Sequence, residues 1–120
     1  MYGNNFGLFG SFEKARILLK KLYQITSYEA LIIAESKNPH KTDEPSFKEY
    51  HKRNVKLGRM PGQMCYRVRF KNYIGPWFSY LIVSKTEMKS ILKGTGLKVV
   101  KFIDYEDKTS GLYFAIIEKI

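Results

Sequence analysis

The chain of 120 residues has one cysteine, Cys65, and two histidines, His40 and His51. A lone thiol cannot form an internal disulfide, so the chain is not a disulfide-stapled secreted domain, and its composition fits a reducing cytoplasm. Cys65 is expected to be a buried small hydrophobe. The histidines are far apart in sequence and lack flanking acids or thiols at ligand spacing, so no metal site is expected. No run of about 18 apolar residues occurs, which excludes a membrane-spanning helix. MYGNNFGLFGSFEK lacks the basic n-region and apolar h-region of a secretion signal. No histidine base is spaced to serve a nucleophile. The acids Asp43, Glu44, Asp104, Glu106 and Asp107 fall in polar loops where solvation accounts for them, so no catalytic residue is assigned.

What is present is apolar bulk and positive charge. Hydrophobic residues make up 44% of the chain, enough for the core of one globular domain over residues 1–120. The formal net charge is +10, with 21 lysines and arginines against 11 acids. Most of the excess lies between positions 48 and 71, where Lys48, Lys52, Arg53, Lys56, Arg59, Arg67, Arg69 and Lys71 face a single acid, Glu49. Such a block focuses a positive field and attracts anionic partners.

The end of the chain is the most strongly patterned part. Ser84 and Glu87 have the spacing of a capping box that opens a helix. Met88, Ile91 and Leu92 fall on one face of that helix, and Gly94 and Gly96 end it. LKVVKFI (97–103) has the β-branched, partly alternating character of a strand, 104–111 is turn-like, and LYFAIIEKI (112–120) suits a strand covered on both faces. Upstream, MYGNNFGLFG is expected to be the end of a strand and a glycine-loosened turn. Ser11 caps a predicted helix from Phe12 to about Ile25, whose inner side carries Phe12, Ala15, Leu18, Leu19, Leu22 and Tyr23. A buried strand is predicted at Ala30 to Ala34. A second helix is predicted over 46–60 beside Pro45, with Phe47, Tyr50 and Leu57 on its apolar face. MCYRVRF (64–70) alternates cleanly and places Arg67 and Arg69 on one face. It is expected to pair with WFSYLIV (77–83) as a hairpin.

This order of elements resembles the C-terminal half of class I, Rossmann-like S-adenosylmethionine-dependent methyltransferases. MYGNNFG looks like the end of that family's fourth strand, KARILLKKLYQI its next helix and EALIIAES its fifth strand. SKTEMKSILKGTGLKVVKFI is similar to its last helix and penultimate strand. LYFAIIEK is similar to the last strand, which inserts antiparallel. The resemblance implies an α/β fold: a partial methyltransferase sheet formed by residues 1–36 and 84–120, with a basic helix-plus-hairpin insertion over 37–83. S-adenosylmethionine is the family's cofactor. Its glycine-rich loop and ribose-binding acid have no counterpart here, and the Gly94–Gly96 segment is a helix stop rather than a G-x-G-x-x-G fingerprint. No cofactor binding is therefore expected of the isolated chain. With a complementary N-terminal half in place, Gly3, Asn4, Asn5 and Phe6 would lie near the methionine or adenine moiety. Alone, they are equally a strand-to-helix turn built from turn-forming residues.

The insertion supplies the other site candidates. Lys52, Arg53, Lys56, Arg59, Arg67, Arg69 and Lys71, with Trp77 and the interspersed tyrosines, offer phosphate contacts and stacking surfaces for RNA or the methyl acceptor. The same pattern is also that of a solvated basic face over core aromatics. Finally, the resemblance implies an open edge on the fourth strand, and so a homo-oligomer paired through it.

Overall fold

The computed structural model describes Met1 to Ile120. Its helices are α1 (Phe12–Ile25), α2 (Pro45–Lys56) and α3 (Lys85–Leu92). Its strands are β1 (Leu31–Lys37), β2 (Gln63–Tyr66), β3 (Arg69–Phe70), β4 (Tyr73–Ile74), β5 (Phe78–Leu81), β6 (Leu97–Asp104) and β7 (Leu112–Lys119). The main sheet has the order β1-β7-β6. The last strand lies between the other two and runs antiparallel to both, from Leu31 opposite Glu118 on one side to Asp104 opposite Tyr113 on the other. Both features follow the expectation for the methyltransferase-like sheet.

Caps and apolar spacing fix the helices. The Ser11 hydroxyl accepts from the Lys14 N–H at 3.3 Å and opens α1. Ser84 and Glu87 exchange both bonds of the capping box, at 3.2 and 2.8 Å. Gly94 and Gly96, at φ +81° and +86°, carry the chain out of α3 through the left-handed region. Ala15 and Leu19 of α1 and Met88, Ile91 and Leu92 of α3 pack into one core with Tyr113, Ala115 and Ile117 of β7. Leu18 and Tyr23, expected on the inner side of α1, are exposed. The helical repeat carries them past the stripe that Ala15, Leu19 and Leu22 direct inward.

The sheet is buried unequally. Tyr113, Ala115 and Ile117 are sealed under the helices, whereas Phe114 and Ile116 on the opposite face are half-buried. Phe114 is covered by Tyr105, stacked at 5.3 Å, and by the edge of Tyr2 at 6.0 Å, rather than by a helix.

The start of the chain departs from the expected strand. Only Met1 follows a sheet-like path, its carbonyl accepting from the Glu35 N–H at 3.1 Å. Gly3 and Asn4 then take φ of +64° and +63°, which ends any extended pairing and leads into a 3-10 turn over Asn5–Phe9. The open edge is therefore that of β1.

The insertion also differs in detail. Only Asn54 of α2 is buried, while Phe47, Tyr50, Val55 and Leu57 remain exposed. The helix is tied down by a polar bond set instead: Asn54 Nδ2 donates to the carbonyls of Pro61 and Gln63 at 2.9 and 2.7 Å. The alternating run at 64–70 is interrupted. β2 pairs with β5, whereas β3 and β4 form a separate ribbon at the tip, turning at Lys71 with φ +53°. Arg67 lies in the break and Arg69 in the tip ribbon, so the two do not share one strand face. Cys65 is exposed rather than buried: opposite Ser79, it lines an open surface cavity with Leu8, Phe9 and Lys14.

Candidate functional site

The first candidate segment, Gly3 to Phe6, sits where the core meets the insertion. The Gly3 N–H donates to Glu35 Oε2 at 2.7 Å, and the second oxygen of this buried carboxylate accepts from the Tyr105 hydroxyl at 2.7 Å. Tyr80 of β5 donates its hydroxyl to the Asn4 carbonyl at 2.5 Å. The Tyr80 ring lies directly over Gly7, where any Cβ would collide with it. A bare backbone at position 7 is thus what lets the 3-10 turn dock on β5. Phe6 is fully buried and packs edge-on against Phe9 at 5.1 Å, so its ring serves the core.

Asn4 borders a cleft of about 320 Å³ between the core and the insertion. Tyr66, Tyr80, Met64 and Phe47 supply its apolar walls, and Thr42 and His51 part of its polar rim. Asn4 Oδ1 is the one buried side-chain polar atom in the chain without a hydrogen-bond partner, a position that a ligand donor would satisfy. Burial pushes the Tyr80 hydroxyl above its ordinary pKa, reinforced by Tyr66 and Glu35, and burial with Tyr50 does the same to Tyr66. Both phenols are therefore neutral donors at pH 7.

Of the groups that S-adenosylmethionine would need, this segment offers one free side-chain acceptor, Asn4 Oδ1. The adjacent buried acid, Glu35, is already taken by Gly3 and Tyr105.

The basic residues divide into separate groups. Lys52 and Lys56 line a second cleft beside α2, together with Lys48, His40 and His51. Arg59 borders a shallow depression near Phe12 and Met60, and Arg53 is exposed. Arg67 stacks on the exposed ring of Trp77 at 4.5 Å, and Lys71 sits over Phe70 at 5.4 Å, both on the hairpin arm with Arg69. The paired histidines, missed as a cluster in the sequence, have ring centroids 6.1 Å apart. His40 Nε2 lies 3.3 Å from Glu87 Oε1, across a sequence distance that no spacing rule could have bridged. Burial, then the neighbouring His40, depresses the His51 pKa, partly offset by Glu87. No group of three or more metal-ligating side chains comes together, and no helix is long and apolar enough to cross a membrane.

Sheet order, the inserted antiparallel last strand and the flanking helices define the fold as that of the C-terminal half of a Rossmann-like methyltransferase. Among solved structures, a SAM-dependent methyltransferase from Bacteroides fragilis in complex with S-adenosyl-L-homocysteine superposes on 99% of this chain, with a TM-score of 0.75 and 17% identity. The CcbJ methyltransferase from Streptomyces caelestis covers 98% at a TM-score of 0.60 and 9% identity. An S-adenosylmethionine-dependent methyltransferase from Clostridium acetobutylicum covers 98% at 0.57 and 7%. The chain spans only 46%, 58% and 55% of those three proteins respectively, about half their length. No protein-family model matches the sequence, and no curated protein matches it significantly.

Proposed function

We propose that this chain is the acceptor-side half of a methyl-transfer site, which neither binds S-adenosylmethionine nor transfers a methyl group until a complementary N-terminal half completes it. The carrying observation is that essentially the whole chain superposes on half of a methyltransferase holding S-adenosyl-L-homocysteine, while its sequence has no glycine-rich cofactor loop. In a completed site, S-adenosylmethionine supplies the activated methyl group. The residues of this chain shape the acceptor cleft: Tyr66, Tyr80 and Phe47 exclude water from an apolar body, and Asn4 Oδ1 accepts a hydrogen bond. Methyl transfer depends on in-line positioning, so walls held rigid by the Tyr80–Asn4 contact are the relevant contribution. The test is reconstitution with a separately expressed N-terminal half of a methyltransferase neighbour. Cofactor binding by the mixture but not by either part supports the proposal, and binding by this chain alone overturns it.

Completion takes place along the β1 edge in this reading. The opposite edge, β6, is protected by Lys98, Lys101 and a bulge between Val99 and Lys101. β1 has no bulge and exposes Leu31 and Ile33, with Ile25 and Tyr28 alongside. An edge of this kind templates pairing, either with the complementary half or with a second copy of the chain as a homo-oligomer. Light scattering at rising concentration checks the latter, and a monomer throughout removes it. In this reading the protein is cytoplasmic, where a lone thiol stays reduced.

A second reading, RNA binding by the insertion, is favoured by the hairpin arm. Arg67, Arg69 and Lys71 stand among the exposed rings of Phe70, Tyr73 and Trp77. Cations for phosphates and open faces for bases are what single-strand binders use. It requires binding of a single-stranded RNA oligonucleotide that weakens steeply with salt and is lost on Arg67→Glu/Arg69→Glu. No binding at low salt eliminates it.

A further inference from the structure

The cleft beside α2 differs from both the acceptor cleft and the arm. Lys48, His51, Lys52, Val55 and Lys56 recur at helical spacing and form one stripe on α2. They face His40 and Thr42 from the preceding loop and Pro61 beyond the helix, enclosing an open cleft of about 510 Å³. Val55 and Pro61 contribute to walls that are mainly apolar, with the ammonium groups carried on methylene stems.

None of the three lysines has a carboxylate partner. The ion pairs of the chain are His40–Glu87, Lys85–Asp104 and Lys98–Glu118. Glu87, the acid beside His40, also accepts the Ser84 N–H at 2.8 Å and is thereby engaged in the α3 cap. The Thr42 hydroxyl oxygen accepts from the Glu44 N–H at 3.2 Å, which leaves its O–H free to donate. Three uncompensated cations on one helix face repel one another and direct a positive field into the cleft. A dianion relieves that repulsion, and lysines bind phosphate groups as point charges.

We infer that this cleft is a binding site for a phosphate-class dianion, held by Lys48, Lys52 and Lys56 with Thr42 as an uncharged donor. The two clefts share Thr42 and His51. Resting on the function proposed above, the methyl acceptor is therefore a phosphorylated molecule whose apolar body lies against Tyr66 and Tyr80 while its phosphate reaches the α2 stripe.

The site is tested on the chain itself, without cofactor, using inorganic pyrophosphate as the probe. Calorimetry at fixed salt is expected to give saturable binding at one site per chain, and the His51 imidazole resonances are expected to move toward the protonated position. Lys52→Ala/Lys56→Ala is expected to weaken binding about a hundredfold, as loss of two charge-assisted hydrogen bonds implies. Both lysines are exposed and make no structural bond, so the fold is retained. Arg67→Ala/Arg69→Ala is expected to leave the affinity unchanged. Non-saturable binding, equal weakening by both double variants, or unmoved His51 resonances would each overturn the site and reveal only the diffuse field of a basic protein. None of these outcomes bears on cofactor binding, so the methyl-transfer reading stands or falls separately.

Discussion

The sheet core and the basic insertion are stabilised in opposite ways. In the core, Phe6, Leu19, Met88, Ile91 and Ile117 are fully buried, and each helix is fixed by its side-chain cap. In the insertion, α2 buries only Asn54 and leaves Phe47, Tyr50 and Val55 in solvent, with Leu57 just beyond it, and two short ribbons replace one hairpin. The core behaves as a scaffold, and the insertion is anchored to it by the fully buried Leu81 and Val83 and by a few polar points. Tyr80 is the joint between them, with its ring on Gly7 and its hydroxyl on Asn4. The difference teaches where function is to be sought: loosely anchored surfaces on rigid supports are where binding residues concentrate.

The sharpest way to break this contrast is to empty the core. Phe6→Ala should cost about 3–5 kcal/mol, the usual price of deleting a buried aromatic ring, and chemical denaturation would show both regions unfolding together. An insertion that stayed folded would mean the two regions are independent. Tyr113→Phe should cost about 1–3 kcal/mol, because the Val83 carbonyl loses the hydroxyl that donates to it at 2.7 Å in the buried interior. Asn54→Ala should act locally. Loss of its two bonds, worth about 1 kcal/mol each, should speed amide exchange in α2 while α1 and α3 keep their protection. Global unfolding would contradict a polar anchor.

Titration separates the regions with smaller effects. Burial raises the Tyr113 pKa in the core, and those of Tyr80 and Tyr66 in the insertion, above the ordinary 10.0. The folded state then favours the neutral phenols, so this stability is fully present below pH 10 and is lost as the pH rises past it. Tyr113→Phe should flatten the alkaline limb most. His51 is depressed below its ordinary 6.5, chiefly by burial. The unfolded chain therefore binds the extra proton first, and its contribution is present above pH 6.5 and declines as the pH falls through and below that value. Thermal melts from pH 5 to 8 of wild type and His51→Gln check this sign, and an acid limb unchanged by the substitution would refute it.

The contrast also governs what the sequence made legible. Ser84, Glu87 and the glycines after α3 specify a local geometry that needs no distant partner, and α3, β6 and β7 lie where those signals put them. Ser11 does the same for α1. Legibility fails where tertiary context decides. The stripe of Phe47, Tyr50 and Leu57 has helical spacing, but spacing does not supply a surface to bury it against. Residues 64–70 alternate like one strand, but the β2–β5 ladder ends at Tyr66 opposite Phe78, and pairing resumes only where the Val68 carbonyl accepts from the Gly75 N–H at 2.8 Å, at the base of the tip ribbon. For the candidate sites, the basic block was visible as composition. Its division between the α2 cleft and the arm was not, because Pro61, Thr42 and His40 reach that cleft only through the fold.

The proposed function requires that this chain form the acceptor side of a methyl-transfer site and not hold the methyl donor alone. A calorimetric titration of the purified chain with S-adenosylmethionine tests it most directly. The account predicts no saturable heat at any attainable cofactor concentration. Stoichiometric binding at micromolar affinity would contradict it.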